Sequence, residues 1–182
     1  MACNNLTAGR AIPCKDVVGG IKAVYFVNFG DVGSVTETND EITDMSGTFS
    51  AYKYELKGNS SFEQSFNSSR ENGTTFFEQT LNLQFTKLSK EDNKELKLMA
   101  YSRPQVVVLD YNDNAFFMGL KNGAEITGGT IVTGAAMGDL SGYTLTLTAQ
   151  EIKPANFIAG VDLTLAEEVF AGMTSAIVTI VS

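Results

Sequence analysis

Hydrophobic and polar residues alternate in two long runs after Tyr54, pause for one short helical pattern, and resume in four further strand-like runs up to Phe157. Before them, Ile21–Phe29 (IKAVYFVNF) is rich in β-branched and aromatic residues and predicts a strand. Residues 1–20 are polar, end at Gly19-Gly20, and read as an irregular arm. Gly30 and Gly33 punctuate a loop. Val35–Ser46 (VTETNDEITDMS) is acidic and poorly patterned, predicting a weak strand or a long exposed loop.

From Thr48 the alternation is clean. Phe49, Tyr52, Tyr54 and Leu56 lead to a turn at Gly58-Asn59, after which Phe62, Gln64 and Phe66 share a face. Asn72-Gly73 is a strong hairpin signal, because a type I′ turn needs positive φ at both central positions. On the return run Phe77, Gln79, Leu81, Leu83 and Phe85 fall on one side, and Glu78, Thr80, Asn82, Gln84 and Thr86 on the other. At about 3.4 Å per residue, arms 61–70 and 74–87 would each reach roughly 35–45 Å, beyond usual strand length. The region 48–88 therefore predicts a long hairpin that extends past its own domain.

A helix is expected over 89–101. Ser89 caps it, Glu91 and Asp92 suit its positive end, Leu96 and Met99 form a narrow apolar face, and Pro104 forbids its continuation. Val106–Leu109, Phe116–Met118 and the alternating Tyr143–Thr148 are strands, with a turn at Asn112-Asp113-Asn114. Gly123, Gly128-Gly129, Gly134 and Gly138 read as turns. Thr164-x-x-Glu167 is a capping-box pattern that slightly favours a short helix over a strand, and Ala176–Val181 is a final strand. The fold class is all-β: a sandwich or barrel with one short flanking α-helix and a long β-hairpin. The organisation is an arm over 1–20 and a single domain over 21–182.

Composition removes whole classes of chemistry. With no His, the chain lacks the side chain that titrates near neutrality and the usual ligand of catalytic zinc. A net charge of -8 argues against gripping a nucleic-acid backbone. The acid lies at the two ends of the chain, while residues 51–100 balance. Cys3 and Cys14 have no CxxC spacing, and they read as reduced structural thiols, with a disulfide as the alternative. The start shows no signal-peptide pattern, and Lys22 breaks the longest apolar run, so a soluble protein without a membrane partner is expected.

The candidate motifs fail on their own geometry. Asp110–Asn114 resembles a calcium loop, but Ala115 and Lys121 stand where an EF-hand needs Gly and Glu. The Gly-rich stretch 119–142 holds neither GxGxxG before a helix nor a GxxxxGK motif. Adjacent acids such as Asp40-Glu41 and Glu167-Glu168 point apart on a strand, whereas catalytic carboxyls face one another. No catalytic, cofactor or metal residue is expected, and no enzyme activity.

Several segments together carry a resemblance: YELKGNSSFEQSFNSSRENGTTFFEQTLNLQFTKL, the helix SKEDNKELKLMA, then RPQVVVLDYNDNAFFMGLKNGAEITGG and TGAAMGDLSGYTLTLTAQEIKPANF. This stretch, a little over half of the chain, resembles bacteriophage tail tube proteins and the tube-like ring proteins of short-tailed phages. The resemblance implies a β-sandwich whose copies lend strands to an inner barrel, commonly closed as a hexamer. Rings then stack into a conduit for DNA, alongside other tail proteins in a virion assembled in the host cytoplasm. Tube lumens of that family tend to be acidic, which matches the charge balance.

By sequence logic, Asp31, Glu37, Asp40, Glu41 and Asp44, with Glu63, Glu78 and Gln84 of the hairpin's polar face, are candidates for lumen or inter-ring surface. Phe77, Leu81, Leu83 and Phe85 should pack on the sandwich or on the next subunit. Two other readings are a bacterial surface or pilus-like β-sandwich adhesin and a phage capsid decoration protein.

Overall fold

The computed structural model describes residues 9–12 and 14–182. Cys3, and with it any pairing to Cys14, lies outside the described residues. The protein is all-β with one short helix. Its strands are β1 (Ile21–Val27), β2 (Val35–Thr38), β3 (Glu41–Met45), β4 (Gly47–Glu55), β5 (Ser61–Ser69) and β6 (Thr74–Thr86). Helix α1 (Lys90–Tyr101) follows, then β7 (Gln105–Asp110), β8 (Ala115–Met118), β9 (Glu125–Val132), β10 (Gly142–Glu151), β11 (Asn156–Ile158) and β12 (Ala176–Val181). One sheet has eight strands in the order β12-β4-β1-β7-β8-β11-β3-β2; the other has four, β5-β6-β10-β9.

The larger sheet is forced to curl. Only Ser46 separates β3 from β4 in the chain, yet β11, β8, β7 and β1 stand between them in the sheet. A one-residue link spans about 7 Å at most, whereas five strand spacings amount to about 24 Å. The sheet must therefore bring its two ends together. Gly47 makes the bend at φ 118, and a Cβ there would sit 2.8 Å from the Asp31 carbonyl oxygen. Tyr25, Ile42, Met45, Phe49 and Phe117 fill the hollow, and Val169, Phe170 and Met173 plug it.

On the other side of β1 and β7, Val24, Phe26, Val106 and Val108 meet Leu81, Leu83, Leu147 and Ala149 of the four-stranded sheet. Both faces of β1 and β7 are thus covered, which explains why these strands read as nearly continuous apolar runs. Helix α1 begins at the expected cap, where Ser89 Oγ accepts from Asp92 N at 2.9 Å; Met99 packs on this inter-sheet core and Leu96 is buried beside it.

Several expectations need correction. The acidic stretch 35–46 is the β2–β3 hairpin, with Asn39 and Asp40 both at positive φ between the paired Thr38 and Glu41. That is type I′ geometry, supplied by residues whose short polar side chains tolerate it. At Asn72-Gly73 only Gly73 has positive φ, and four residues separate the paired Ser69 and Thr74. The turn there is longer than the expected two-residue one.

The hairpin is also shorter than 48–88. Residues Gly47–Glu55 cross into the larger sheet, where β4 pairs with β1, so the hairpin proper is β5–β6. Moreover β10 lines β6 from Phe77 to Thr86. Only the tip, Asn67–Phe76, stands beyond a third strand. Gly128-Gly129 lies inside β9 rather than in a turn. The expected helix after Thr164 is reduced to the 3₁₀ turn Glu168–Phe170.

Candidate functional site

The four-stranded sheet has one face in the core and one in solvent, and the solvent face is mostly polar, with Phe76 and Val132 toward its ends. Register places Glu63 beside Thr80, Glu78 beside Gln150, Asn82 beside Thr146, and Gln84 beside Thr144. Thr130 and Glu125 extend the same face onto β9, opposite Thr144 and Thr148. Three carboxylates, at positions 63, 78 and 125, stand on it with no Lys or Arg on any of its four strands. Local hydrogen bonds hold the polar groups in rows. Thr130 and Thr144 hydroxyls lie 2.6 Å apart, and Thr146 Oγ1 donates to Asn82 Oδ1 at 2.9 Å. The face is thus internally hydrogen-bonded and anionic.

Both edges of this sheet are open. β5 and β9 are its outer strands, and each has one side without a backbone partner among the described residues. Proteins usually blunt such edges with Lys or Pro or cover them. Neither strand contains Lys, Arg or Pro. Phe66 on β5 and Ile131 on β9 are 77% and 62% exposed, so each edge also carries an apolar side chain that its own chain leaves uncovered.

The sequence-predicted residues divide between two regions. Glu63, Glu78 and Gln84 share the outer face. The acids of the first group belong to the larger sheet and are largely engaged within the chain. Asp31 accepts from Asn28 Nδ2 at 3.3 Å, Glu37 pairs with Lys153 at 2.7 Å, and Asp44 binds Thr174 and Ser175. Glu41 lies on β3 beside Phe157, and Asp40 is in the type I′ turn. Leu81 and Leu83 are fully inside the chain's own core, with Phe85 packed against them, so they offer nothing to a second subunit. Phe77 stands edge-on to Phe66, ring centroids 5.3 Å apart, near the hairpin tip.

Sequence reasoning missed Glu125 and the threonine rows, because only register shows that they join Glu63 and Glu78. It also missed a charged cluster on the larger sheet. Glu168 accepts from the Tyr25 hydroxyl, and Lys53 lies 2.9 Å from Glu168 and 3.3 Å from Glu55. Burial, then the Glu168 contact, drives the Tyr25 hydroxyl far above its ordinary range. Burial opposes the charge on Lys53, but the bonds to Glu168 and Glu55 outweigh it and hold Lys53 above its usual value. Glu168 itself has φ 48, a strained value for a non-glycine residue. The cluster pins the 3₁₀ turn Glu168–Phe170 against β1 and β4 of the larger sheet.

Beneath α1, a cleft of about 570 Å³ is lined by Tyr54, Leu56, Phe85, Leu96, Tyr111 and Tyr143. Burial, then the charges of Glu95 and Asp92, push the Tyr54 hydroxyl up to about 12. Among the described residues no group of His, Cys, Asp or Glu is arranged to hold a metal, and no helix is long and apolar enough to cross a membrane. Against protein-family models, curated proteins and solved structures, the chain has no significant match.

Proposed function

We propose that this chain is a non-enzymatic structural subunit of a bacteriophage tail, which assembles with copies of itself into rings that stack as a tube for DNA. The observation that carries the reading is the four-stranded sheet: its strands place three carboxylates and no Lys or Arg on the solvent face, with Arg103 of the α1–β7 link at its margin beside Glu78 and Glu125, and both its edges lack a backbone partner among the described residues. Joining β5 of one copy to β9 of the next would satisfy both edges and continue the sheet around a closed barrel.

Six copies would give a barrel of about 24 strands. At about 4.8 Å spacing and about 40° tilt, its backbone diameter is roughly 50 Å, ample for a nucleic-acid duplex. Glu63, Glu78 and Glu125 would then line the lumen. Duplex DNA carries a charge every ~1.7 Å of its axis. A wall whose strands carry carboxylates and no Lys or Arg lets it slide, whereas rows of ordered cations would retain it. Among the described residues lining the cleft beside Glu78 and Glu125, Arg103 at the margin is the one cation. The subunit's place is the virion tail, assembled in the host cytoplasm beside other tail proteins, with no cofactor.

Negative-stain microscopy and sedimentation of the purified full chain test this. Rings or tubes with a central hole are expected. A monomer at every concentration would favour a pilus-like adhesin, and a compact trimer a capsid decoration protein; either result overturns the proposal.

A further inference from the structure

The chain contains two Asn-Gly pairs, Asn72-Gly73 and Asn122-Gly123, and the fold treats them oppositely. Asn and Gly in this order form the pair in which the next backbone nitrogen reaches the side-chain amide with least hindrance, since Gly has no Cβ. Whether reaction follows depends on whether that nitrogen and that amide are free to meet.

At Asn122 they are held apart. Asn122 N donates to Glu151 Oε1 at 2.8 Å, and its Nδ2 donates to the Gln150 carbonyl at 2.7 Å. The would-be nucleophile, Gly123 N, donates to the Gly119 carbonyl at 3.0 Å. Gly123 is also buried, with the Arg103 carbonyl oxygen 2.9 Å from where its Cβ would stand. At the hairpin tip nothing comparable holds Asn72. Its carboxamide and the Gly73 N–H find no hydrogen-bond partner among the described residues, and no atom lies within 4 Å of the Gly73 Cβ position. Asn72's sole tie is its own N–H to Ser69 Oγ at 3.3 Å.

We infer that Asn72 is a site of spontaneous deamidation in the folded protein and that Asn122 is protected. The Gly73 nitrogen attacks Asn72 Cγ; a C–N bond forms, the Gly73 amide proton passes to solvent, and the side-chain nitrogen leaves as ammonia. Water then opens the succinimide at one of its two carbonyls, giving Asp or isoaspartate. The net change consumes one water and releases one ammonia, with no oxidant or enzyme. It adds a carboxylate to the β5–β6 tip, making the net charge of -8 one unit more negative. The inference stands whether or not the chain forms tubes.

The test is peptide mapping by mass spectrometry of the full chain, held folded in mildly alkaline buffer, beside the same chain in concentrated urea. A mass gain of about 1 Da is expected on the peptide carrying Asn72. The peptide carrying Asn122 should react at least about tenfold more slowly, because it must first open its hydrogen bonds. In urea the two rates should converge. Asn72→Gln should abolish most of the ammonia released by the folded protein. Equal rates at the two sites when folded, an unreactive Asn72, or the same disparity in urea as in buffer would each overturn the inference.

Discussion

Asp44, at the end of β3, accepts hydrogen bonds from Ser175 Oγ at 2.6 Å and Ser175 N at 3.1 Å, tying together residues 131 positions apart. Thr174 N adds a third contact at 2.9 Å. The contact ties one end of the curled sheet to the start of β12, the outermost strand of its other end. The Ser175 side chain first, then its backbone, hold the Asp44 carboxyl down to about 2, below its ordinary value of 3.8.

A pH dependence follows from that linkage. A depressed folded-state value means that ionised Asp44 adds stability, fully present above pH 3.8 and lost as pH falls through about 2. Asp44→Asn should lower the Tm at neutral pH, and the gap from wild type should narrow as pH falls toward 2. A gap unchanged over that interval would show that the charge on Asp44 does no stabilising work.

Replacing Glu168 by Gln keeps the shape and removes the charge facing Lys53, a partly buried amine. Loss of a charge-assisted hydrogen bond of this kind costs about 2 kcal/mol. Denaturant unfolding should report that loss. In the intact protein, alkaline absorbance titration should leave Tyr25 silent up to the point of unfolding, since burial and Glu168 both oppose its ionisation.

The inter-sheet core makes a sharper demand. Leu81 is fully buried between the sheets, so Leu81→Ala should cost about 2–5 kcal/mol, measurable in the same unfolding experiment. Gly142→Ala should be at least as damaging, because its new methyl would overlap the Phe85 carbonyl oxygen across the β6–β10 ladder. A wild-type-like Gly142→Ala would mean that β10 does not lie against β6 in this register.

Much of the fold was legible where a strand's own sequence decides its burial. The alternation Phe77-Gln79-Leu81-Leu83-Phe85 gave the inner face of β6, Val106–Leu109 gave a strand covered on both sides, and Ser89 with Pro104 bracketed the helix. What failed depended on partners distant in sequence. Nothing in Thr48–Leu56 says that β4 leaves the hairpin for β1. Asn39-Asp40 makes a type I′ turn without the glycine that usually signals one, and Gly128-Gly129 sits extended in an edge strand. After Thr164, Asp162 takes both the Thr164 hydroxyl and its N–H, so the expected cap is spent in a turn.

The candidate surface was half legible for the same reason. Glu63, Glu78 and Gln84 could be placed on one polar face by counting in twos. Their union with Glu125 and the β10 threonines required the β6–β10–β9 register. The Asp31–Asp44 acids were grouped with them by charge alone, and the fold engages Asp31, Glu37 and Asp44 in contacts within the chain, with Asn28, Lys153 and Ser175 of the connecting segments.

The lumen proposed for this face can be probed by reversing the face's charge. Glu63→Lys with Glu78→Lys should leave the fold and the self-assembly intact, because both side chains point away from the core. The variant assembly should retain duplex DNA, with binding that weakens steeply as salt rises. Assembly without any gain of DNA retention would place this face away from the conduit.

The most direct measurement is an electron cryo-microscopy map of the assembled full chain, at a resolution that traces strands. In it β5 of each copy should be hydrogen-bonded to β9 of its neighbour, with Glu63, Glu78 and Glu125 facing a central channel. A map in which these two edges remain unpaired, or in which that face lies on the outside of the particle, would contradict it.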